Sequence, residues 1–393
     1  MTMTTTTTTT TTTAQPPQLI DNASALQEAI RQLRAVSAVA LDTEFIRTDT
    51  FYPLLGLVQL SDGFSTWLID PLAMSTEELA PLVELLLDQS VVKVIHSCSE
   101  DMEVLRHTLG VVPTPIFDTQ VAAAFAGLGF SLSYLALVKE LTDVTLDKHE
   151  TRSDWLRRPL SAAQLSYAAE DVEHLLMVYE KLAARLDLLG RLDWLSEDMQ
   201  AVQQAAAAEA PGDEYFLRVK GAWKLDRQGL AILKTLVTWR EGEARKLDRP
   251  RSRIVADKDL LQIAILKPRQ RALLVANKDL HPRSVRVYGD KLIALTQTAL
   301  SADPAAFPDV LPKPVPREYG SILKACRKVV QEKADALGLA PEILARRVDL
   351  EHLLRAVADG TARLPPALAQ GWRKHIIGDD LLAHVSHLEA QRG

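Results

Sequence analysis

The sequence has little cysteine and no long apolar run. Cys98 and Cys326 are the only cysteines among 393 residues, and they lie far apart. A secreted fold held by disulfides is therefore not expected, and Cys98 is interpreted as a small packing residue. No stretch offers the roughly 18 consecutive apolar residues that a membrane span needs, and no secretory signal is readable. The sequence predicts a soluble cytoplasmic protein without a membrane partner.

Basic residues are scarce in the first half of the chain and frequent in the second. Residues 1–205 hold 28 acidic and 13 basic side chains, a balance of −15, whereas residues 206–393 hold 23 and 32, a balance of +9. Most of this excess, +8, lies in 206–300. An acidic part joined to a basic part that attracts polyanions indicates a metal-dependent catalytic unit next to a nucleic-acid-binding unit.

Composition also marks the expected domain limits, and the length suits two or three domains. A threonine run at 4–13 cannot bury enough apolar surface to fold, so residues 1–17 are predicted to be a disordered tail. An alanine-rich stretch at 205–213 and a proline-rich stretch at 301–316 are interpreted as linkers. The predicted domains are 18–205, 210–300 and 312–391.

Apolar periodicity predicts strands and helices in the first domain and helices alone after it. Predicted strands cover 37–45, 57–61, 65–70, 91–96 and 116–118, and Asp62-Gly63 joins the second and third as a hairpin. One long helix is predicted over 161–188, and two shorter ones over 281–286 and 288–299. Gly289 and Gly378 are each predicted to begin a last helix, which favours a duplicated helical module. The fold class is therefore multidomain, α/β followed by all-α.

Two acids stand together at the end of the first predicted strand. Because side chains alternate along a strand, Asp42 and Glu44 lie on the same face. Adjacent like charges cost stability, and a hard divalent metal between them is one arrangement that removes this cost. The alternative is an exposed strand end with two solvated acids.

Three further candidate site residues follow Asp42 and Glu44 along the chain: Asp101, Tyr167 and Asp171. Asp101 lies in the first turn of a helix, where the helix dipole favours an acid and supplies a purely structural explanation. Tyr167 and Asp171 are four residues apart and share one helix face. Taken singly, they suit a half-buried tyrosine and a solvated acid.

Together, these five residues resemble the DEDDy family of 3'-5' exonucleases, and the ribonuclease D group within it. The likeness extends to the residues around them, at 41–48, 52–60, 96–104 and 145–160. It runs from about residue 20 to 200, and the helical remainder resembles tandem HRDC modules (helicase and RNase D C-terminal). The resemblance implies a ribonuclease-H-like mixed sheet with flanking helices, followed by two small helical domains.

The resemblance also implies hydrolysis with two divalent metal ions, Mg²⁺ or Mn²⁺. Asp42 would bind both ions, Glu44 and Asp171 would complete one site, and Asp101 would hold the second ion. Tyr167 would orient the attacking water, because a phenol with a pKa near 10 is a poor base at neutral pH.

Other residues are candidates for RNA contacts, although each has an ordinary structural role as its alternative. The set combines apolar residues that would stack on bases with basic residues that would bind phosphate: Phe45, Tyr52, Leu57, His96, Lys148, Arg152 and Arg158.

The expected substrate is RNA with a free 3' end, such as a tRNA precursor. The expected products are nucleoside 5'-monophosphates, and the protein is expected to be a monomer. A DNA exonuclease is the first alternative, since the motif does not separate RNA from DNA. A non-catalytic RNA-binding protein is the second, and the intact acidic set argues against it.

Overall fold

The computed structural model describes residues 16–146, 153–208, 212–361 and 363–390, which form two compact units. The first, called the sheet unit, comprises residues up to Ile46 together with Leu54–Ala207. The second, called the helical unit, comprises Arg47–Pro53 and the chain from Ala208 onward. Among the described residues, no helix is long and apolar enough to cross a membrane. Residues 1–15 of the predicted tail at 1–17 lie outside them.

One mixed sheet organises the sheet unit. Its strands are β1 (Gln18–Ile20), β2 (Ala38–Ile46), β3 (Leu54–Ser61), β4 (Thr66–Ile69), β5 (Val92–Ile95) and β6 (Ile116–Asp118). Their order is β1-β4-β3-β2-β5-β6, in which β3 is antiparallel to β2 and β4 while the other pairs are parallel. The predicted strands are confirmed, and β1 was missed because three residues carry no periodicity.

The hairpin between β3 and β4 forms for the predicted reason. Asp62 Oδ1 accepts hydrogen bonds from the backbone N–H of Phe64 and Ser65, at 2.9 and 2.8 Å. Gly63 has φ of +88°, which a side chain would oppose. This turn fixes the β3–β4 register and thereby the β3 residues that face β2.

In the described part of this unit, eight helices flank the sheet: α1 (Ala23–Leu33), α2 (Ala80–Leu87), α3 (Ser99–Leu109), α4 (Thr119–Phe125), α5 (Tyr134–Thr142), α6 (Ala162–Glu173), α7 (Leu175–Leu188) and α8 (Leu192–Ala207). The single helix predicted over 161–188 was wrong, because α6 ends and α7 begins at His174. Neither proline nor glycine marks this break, so periodicity could not locate it. Helix α6, begun by a capping box of Ser161 and Gln164, packs on β2, β3 and β4. Together they form the mixed sheet with flanking helices that the resemblance implies.

The helical unit contains α9 (Arg227–Lys246), α10 (Arg251–Ile254), α11 (Asp257–Leu266), α12 (Arg271–Ala276), α13 (Pro282–Ser301), α14 (Gly320–Leu337), α15 (Pro341–Leu344), α16 (Arg347–Ala358), α17 (Gly371–Arg373) and α18 (Asp379–Ala390). A π-helical turn, Lys374–Gly378, precedes α18. The helices predicted at 281–286 and 288–299 are one helix, with Gly289 inside it. Gly289 makes room for Arg271, whose Nε would lie 3.3 Å from an added Cβ.

The loop between β2 and β3, Arg47–Pro53, belongs to the helical unit. Phe51 is 7% exposed within that unit's apolar core. Asp248 Oδ1 accepts the backbone N–H groups of Phe51 and Tyr52, at 2.9 and 3.0 Å. The guanidinium of Arg251 lies 4.7 Å from the Phe51 ring centroid. Apolar burial, hydrogen bonds and a cation–π contact thus hold the loop.

Candidate active site

Three carboxylates meet where α6 crosses β2. Strand alternation places Asp42 and Glu44 on one face, and the packing of α6 brings Asp171 to them. One carboxylate oxygen from each residue lies within 4.8 Å of those from the other two. The structure thus brings three of the four predicted acids together, and their oxygen donors are those that hard divalent cations prefer.

Asp101 approaches the cluster from the first turn of α3. It is 6% exposed, and Thr43 Oγ1 donates a hydrogen bond to its Oδ1. Burial raises the pKa of Asp101 to about 6. Asp118 supports this turn, because its carboxylate accepts the backbone N–H groups of Ser97 and Cys98 at 3.1 and 2.9 Å. Sequence reasoning missed Thr43 and Asp118, whose roles depend on contacts distant in the chain.

Burial and mutual repulsion together perturb the acids. The pKa of Asp42 is raised well above its ordinary value, first by burial and then by the charges of Asp101, Asp171 and Glu44. Burial, followed by the charges of Asp171 and Asp101, raises the pKa of Glu44 to about 8. A bound cation would relieve this repulsion, so the donor set fits divalent metal.

Gln59 is a neighbour of the cluster that the sequence did not single out. It faces Asp42 in the β2–β3 register, and opposed residues of antiparallel strands lie on the same face. The side chain is fully buried, yet neither amide atom has a hydrogen-bond partner among the described residues. A buried amide requires such a partner, so this position suits a water or ligand oxygen beside Asp42.

Tyr167 lies one helical turn before Asp171 and hydrogen-bonds to its side chain. Burial, followed by the charges of Asp171 and Glu44, raises the pKa of the Tyr167 phenol. The hydroxyl therefore stays protonated at neutral pH. The ring packs against Trp155, with centroids 6.1 Å apart. This contact fixes the ring while leaving the hydroxyl beside the acids.

His96 has a structural setting. Its Nδ1 lies 2.9 Å from Thr119 Oγ1, and its Nε2 lies 3.1 Å from the Leu132 carbonyl oxygen. Burial lowers the pKa of the imidazole, which favours the neutral form. Both nitrogens are thus occupied, and we assign His96 to the support of the loop before α5.

The apolar candidates for RNA contact are separated. Leu57 is fully buried in a core cluster formed by β3, β4, α6 and the segment before α6 that holds Trp155 and Leu160, so we assign it to packing. Phe45 is half-buried on β2, and Tyr52 packs in the helical unit. Lys148 and Arg152 lie outside the described residues.

Arg158 is bound to the protein rather than presented to a ligand. Its guanidinium donates to both Asp70 carboxylate oxygens at 2.6 and 2.7 Å, to the Gly56 carbonyl at 2.6 Å and to the Trp155 carbonyl at 2.8 Å. This is a structural ion pair. Its neighbour Arg157 is exposed, and lines a cavity of about 430 Å³ beside Tyr167 and Trp155. Sequence spacing alone could not show which of these two adjacent arginines is bound to the protein and which is exposed.

Comparison with known proteins agrees with the fold. A family model of 3'-5' exonucleases matches residues 17–187, a model of the HRDC domain matches 229–296, and a model of the ribonuclease D C-terminal HRDC domain matches 317–381. Ribonuclease D of Pseudomonas paraeruginosa is 44% identical over 93% of this chain and 96% of its own. Ribonuclease D of Musicola paradisiaca is 38% identical over 93% and 97%.

A solved structure is similar over nearly the whole chain. The crystal structure of Escherichia coli RNase D, described as an exoribonuclease involved in structured RNA processing, has a TM-score of 0.87 and 33% identity. The match covers 95% of this chain and 99% of that one. Fold and site thus define a 3'-5' exonuclease with HRDC domains. The chain belongs to the ribonuclease D family, and it is an exoribonuclease and hence a hydrolase.

Proposed function

We propose that the carboxylate cluster holds two divalent ions, Mg²⁺ or Mn²⁺, for hydrolysis of the terminal phosphodiester of RNA. The observation that carries this proposal is the meeting of Asp42, Glu44 and Asp171 within 4.8 Å, with the Asp101 charge acting on Asp42. Asp42 would contribute to both ions, Glu44 and Asp171 to one, and Asp101 to the other. Bound ions of this kind supply Lewis acidity and neutralise charge at the phosphate.

Tyr167 is proposed to orient the attacking water. Its raised pKa keeps the proton on the hydroxyl, so Tyr167 acts as a hydrogen-bonding group and not as a base. The hydrogen bond to Asp171 fixes the hydroxyl, and Trp155 restrains the ring. The water is thereby held by groups that need no reorganisation.

The proposed substrate is RNA with a free 3' end, with tRNA precursors as the principal class and nucleoside 5'-monophosphates as products. The E. coli relative is described as acting in structured RNA processing. The surplus of +9 over residues 206–393 suits a polyanion. We further propose a cytoplasmic monomer.

The test is 3'-end trimming of a labelled tRNA precursor, with and without chelator. Asp42→Asn and Asp171→Asn should each nearly abolish trimming and leave the circular dichroism spectrum unchanged. Asp193→Asn, a change at an exposed acid of α8, is the matched control and should retain full activity. A tenth or more of the wild-type rate in either cluster variant would contradict the two-metal assignment. Faster cleavage of a DNA oligomer of the same sequence would contradict the RNA assignment.

A further inference from the structure

Trp223 stands apart among the six tryptophans. It is 37% exposed, and among the described residues it is the only tryptophan that belongs to the exposed large apolar side chains. It lies in a short 3-10 turn, Ala222–Lys224, and the Lys224 ammonium is 5.5 Å from its ring centroid. An exposed indole next to a cation offers a flat stacking surface in a positive setting.

Trp223 forms part of a concave site within the helical unit. The cavity has a volume of about 420 Å³, within the range of roughly 300–1,000 Å³ usual for small ligands. Three prolines of the segment before α14 line it: Pro312, Pro314 and Pro316. Proline fixes its own φ, so this part of the lining is stiff before any ligand arrives. The Arg355 Nε donates to the Lys313 carbonyl at 3.0 Å and holds the segment in place.

The charge of this cavity is positive. Among the described residues that line it, Arg317, Arg347 and Arg355 stand against one acid, Glu351. Arg347 donates only its Nε to Glu351, at 2.7 Å, and its side chain remains 74% exposed. Arg317 is exposed, and no partner of its side chain is found among the described residues. At least two guanidinium groups can therefore reach an anion at the mouth of the cavity.

We infer that this cavity binds an unpaired nucleotide of RNA, with the base stacked on Trp223 and the flanking phosphates on Arg317 and Arg347. The inference rests on the proposed RNA substrate and assigns one contact with it to the helical unit. Indole stacking suits any base, because every base has a π face, so the contact is tolerant of sequence. It selects single-stranded segments, since paired bases do not expose their faces.

The test measures binding of a labelled single-stranded oligoadenylate to full-length protein made inactive by Asp42→Asn. Trp223→Ala should weaken binding about ten-fold, and Trp223→Phe should restore most of it, because a smaller ring still stacks. Arg317→Ala with Arg347→Ala should lower the salt slope by about 0.7 for each lost phosphate contact, whereas Trp223→Ala should leave the slope unchanged.

Two measurements separate a ligand contact from a structural role. Oligoadenylate should quench the intrinsic fluorescence of the Asp42→Asn protein, and this quenching should fall in the additional variant Trp223→Phe at equal stability. Leu217→Ala, which removes another half-exposed side chain of the same unit, is the matched control and should bind normally. Equal affinity of Trp223→Ala and Leu217→Ala for the oligomer would overturn the inference.

The outcome is distinct from failure of the proposed function. With the catalytic acids intact, Trp223→Ala should bind long RNA less tightly than the wild-type chain, whereas the wild-type chain should trim the tRNA precursor. If the wild-type chain failed to trim RNA, the proposed function would instead be refuted. Unchanged affinity of Trp223→Ala for RNA, with wild-type trimming intact, would refute only the stacking site.

Discussion

At the scale of single residues, the acidic cluster destabilises the folded protein when no metal is bound. Between about pH 4.5, the ordinary value for Glu44, and its pKa of about 8 in the folded chain, the folded state holds more protons than the unfolded state. The free energy of unfolding of the metal-free protein therefore falls as pH rises through this window. The loss is complete above pH 8, where the carboxylate is ionised in both states.

Asp42→Asn should accordingly stabilise the metal-free protein. It removes one charge from a half-buried group of repelling acids, so we expect a melting temperature a few degrees higher at pH 8 and a smaller difference at pH 5. Added Mg²⁺ or Mn²⁺ should stabilise the wild type more than the variant. A lower melting temperature of the variant at pH 8 without metal would contradict this electrostatic account.

Tyr167→Phe should slow catalysis and leave RNA binding nearly unchanged. The hydroxyl acts on water during reaction, whereas the ring that packs on Trp155 is kept. We expect kcat to fall roughly 10- to 1000-fold at similar KM. Steady-state kinetics on a short oligomer would check this. A raised KM at normal kcat would identify Tyr167 as a binding residue instead.

Arg158 and Arg157 form a natural pair of test and control. Arg158→Ala leaves buried Asp70 without its bidentate partner, and should lower the free energy of unfolding by about 3 kcal/mol. Arg157→Ala should change it by less than about 0.5 kcal/mol, because that side chain is exposed. Urea unfolding of both variants measures the difference. Equal stability would mean that the Arg158–Asp70 pair contributes little.

At the scale of elements, the sequence predicted what local patterns determine. The strand that carries Asp42 and Glu44, the Asp62 turn and β6 follow from residue alternation and turn chemistry. The break at His174 and the continuity of α13 through Gly289 depend on tertiary packing, which no local pattern contains. The site shows the same division: its acids follow a motif, whereas Thr43 joins it through its hydrogen bond to Asp101 of α3 and Gln59 through sheet register.

One glycine shows how an element positions the site. A Cβ at Gly56 of β3 would lie 2.6 Å from the Trp155 carbonyl oxygen and 2.8 Å from its Cβ. Gly56→Ala should therefore displace Trp155 from Tyr167, destabilise the protein by about 1–3 kcal/mol and lower kcat. Gly242→Ala in α9, where an added Cβ meets nothing within 4 Å, should be neutral or stabilising. Thermal melts and trimming assays on both variants would check this, and equal behaviour would disprove the contact.

At the scale of the whole molecule, the first half of the chain is acidic and the second half is basic. Ending the chain near Ala208 would remove the basic half and so test its role in RNA binding. The structure changes what this truncation should do. A fragment of residues 1–208 keeps Asp42, Glu44, Asp101, Tyr167 and Asp171 but loses the helices that bury Phe51. We expect it to trim short oligomers, to bind RNA with a shallower salt slope than the full chain, and to aggregate through the exposed loop.

Phe51→Ser separates these effects. In the full chain it should lower the free energy of unfolding by roughly 3 kcal/mol, because it empties a packed core position. In the fragment the same change should improve solubility, because Phe51 has lost its neighbours. Melting curves and sedimentation of both proteins would test this reversal. If Phe51→Ser were harmful to both proteins, or beneficial to both, the placement of the loop in the helical core would be contradicted.

The placement of this loop also bears on how the protein is made. Phe51 is bonded through its backbone to Asp248, which follows it by 197 residues. At synthesis rates of about 5–20 residues per second, roughly 10–40 s pass before that partner exists. During this interval a ribosome-bound chain can pair β2 with β3 while the apolar loop between them waits uncovered. Burial of this loop in the nascent enzyme thus depends on translation of the helical unit, although the carboxylate cluster lies in the sheet unit.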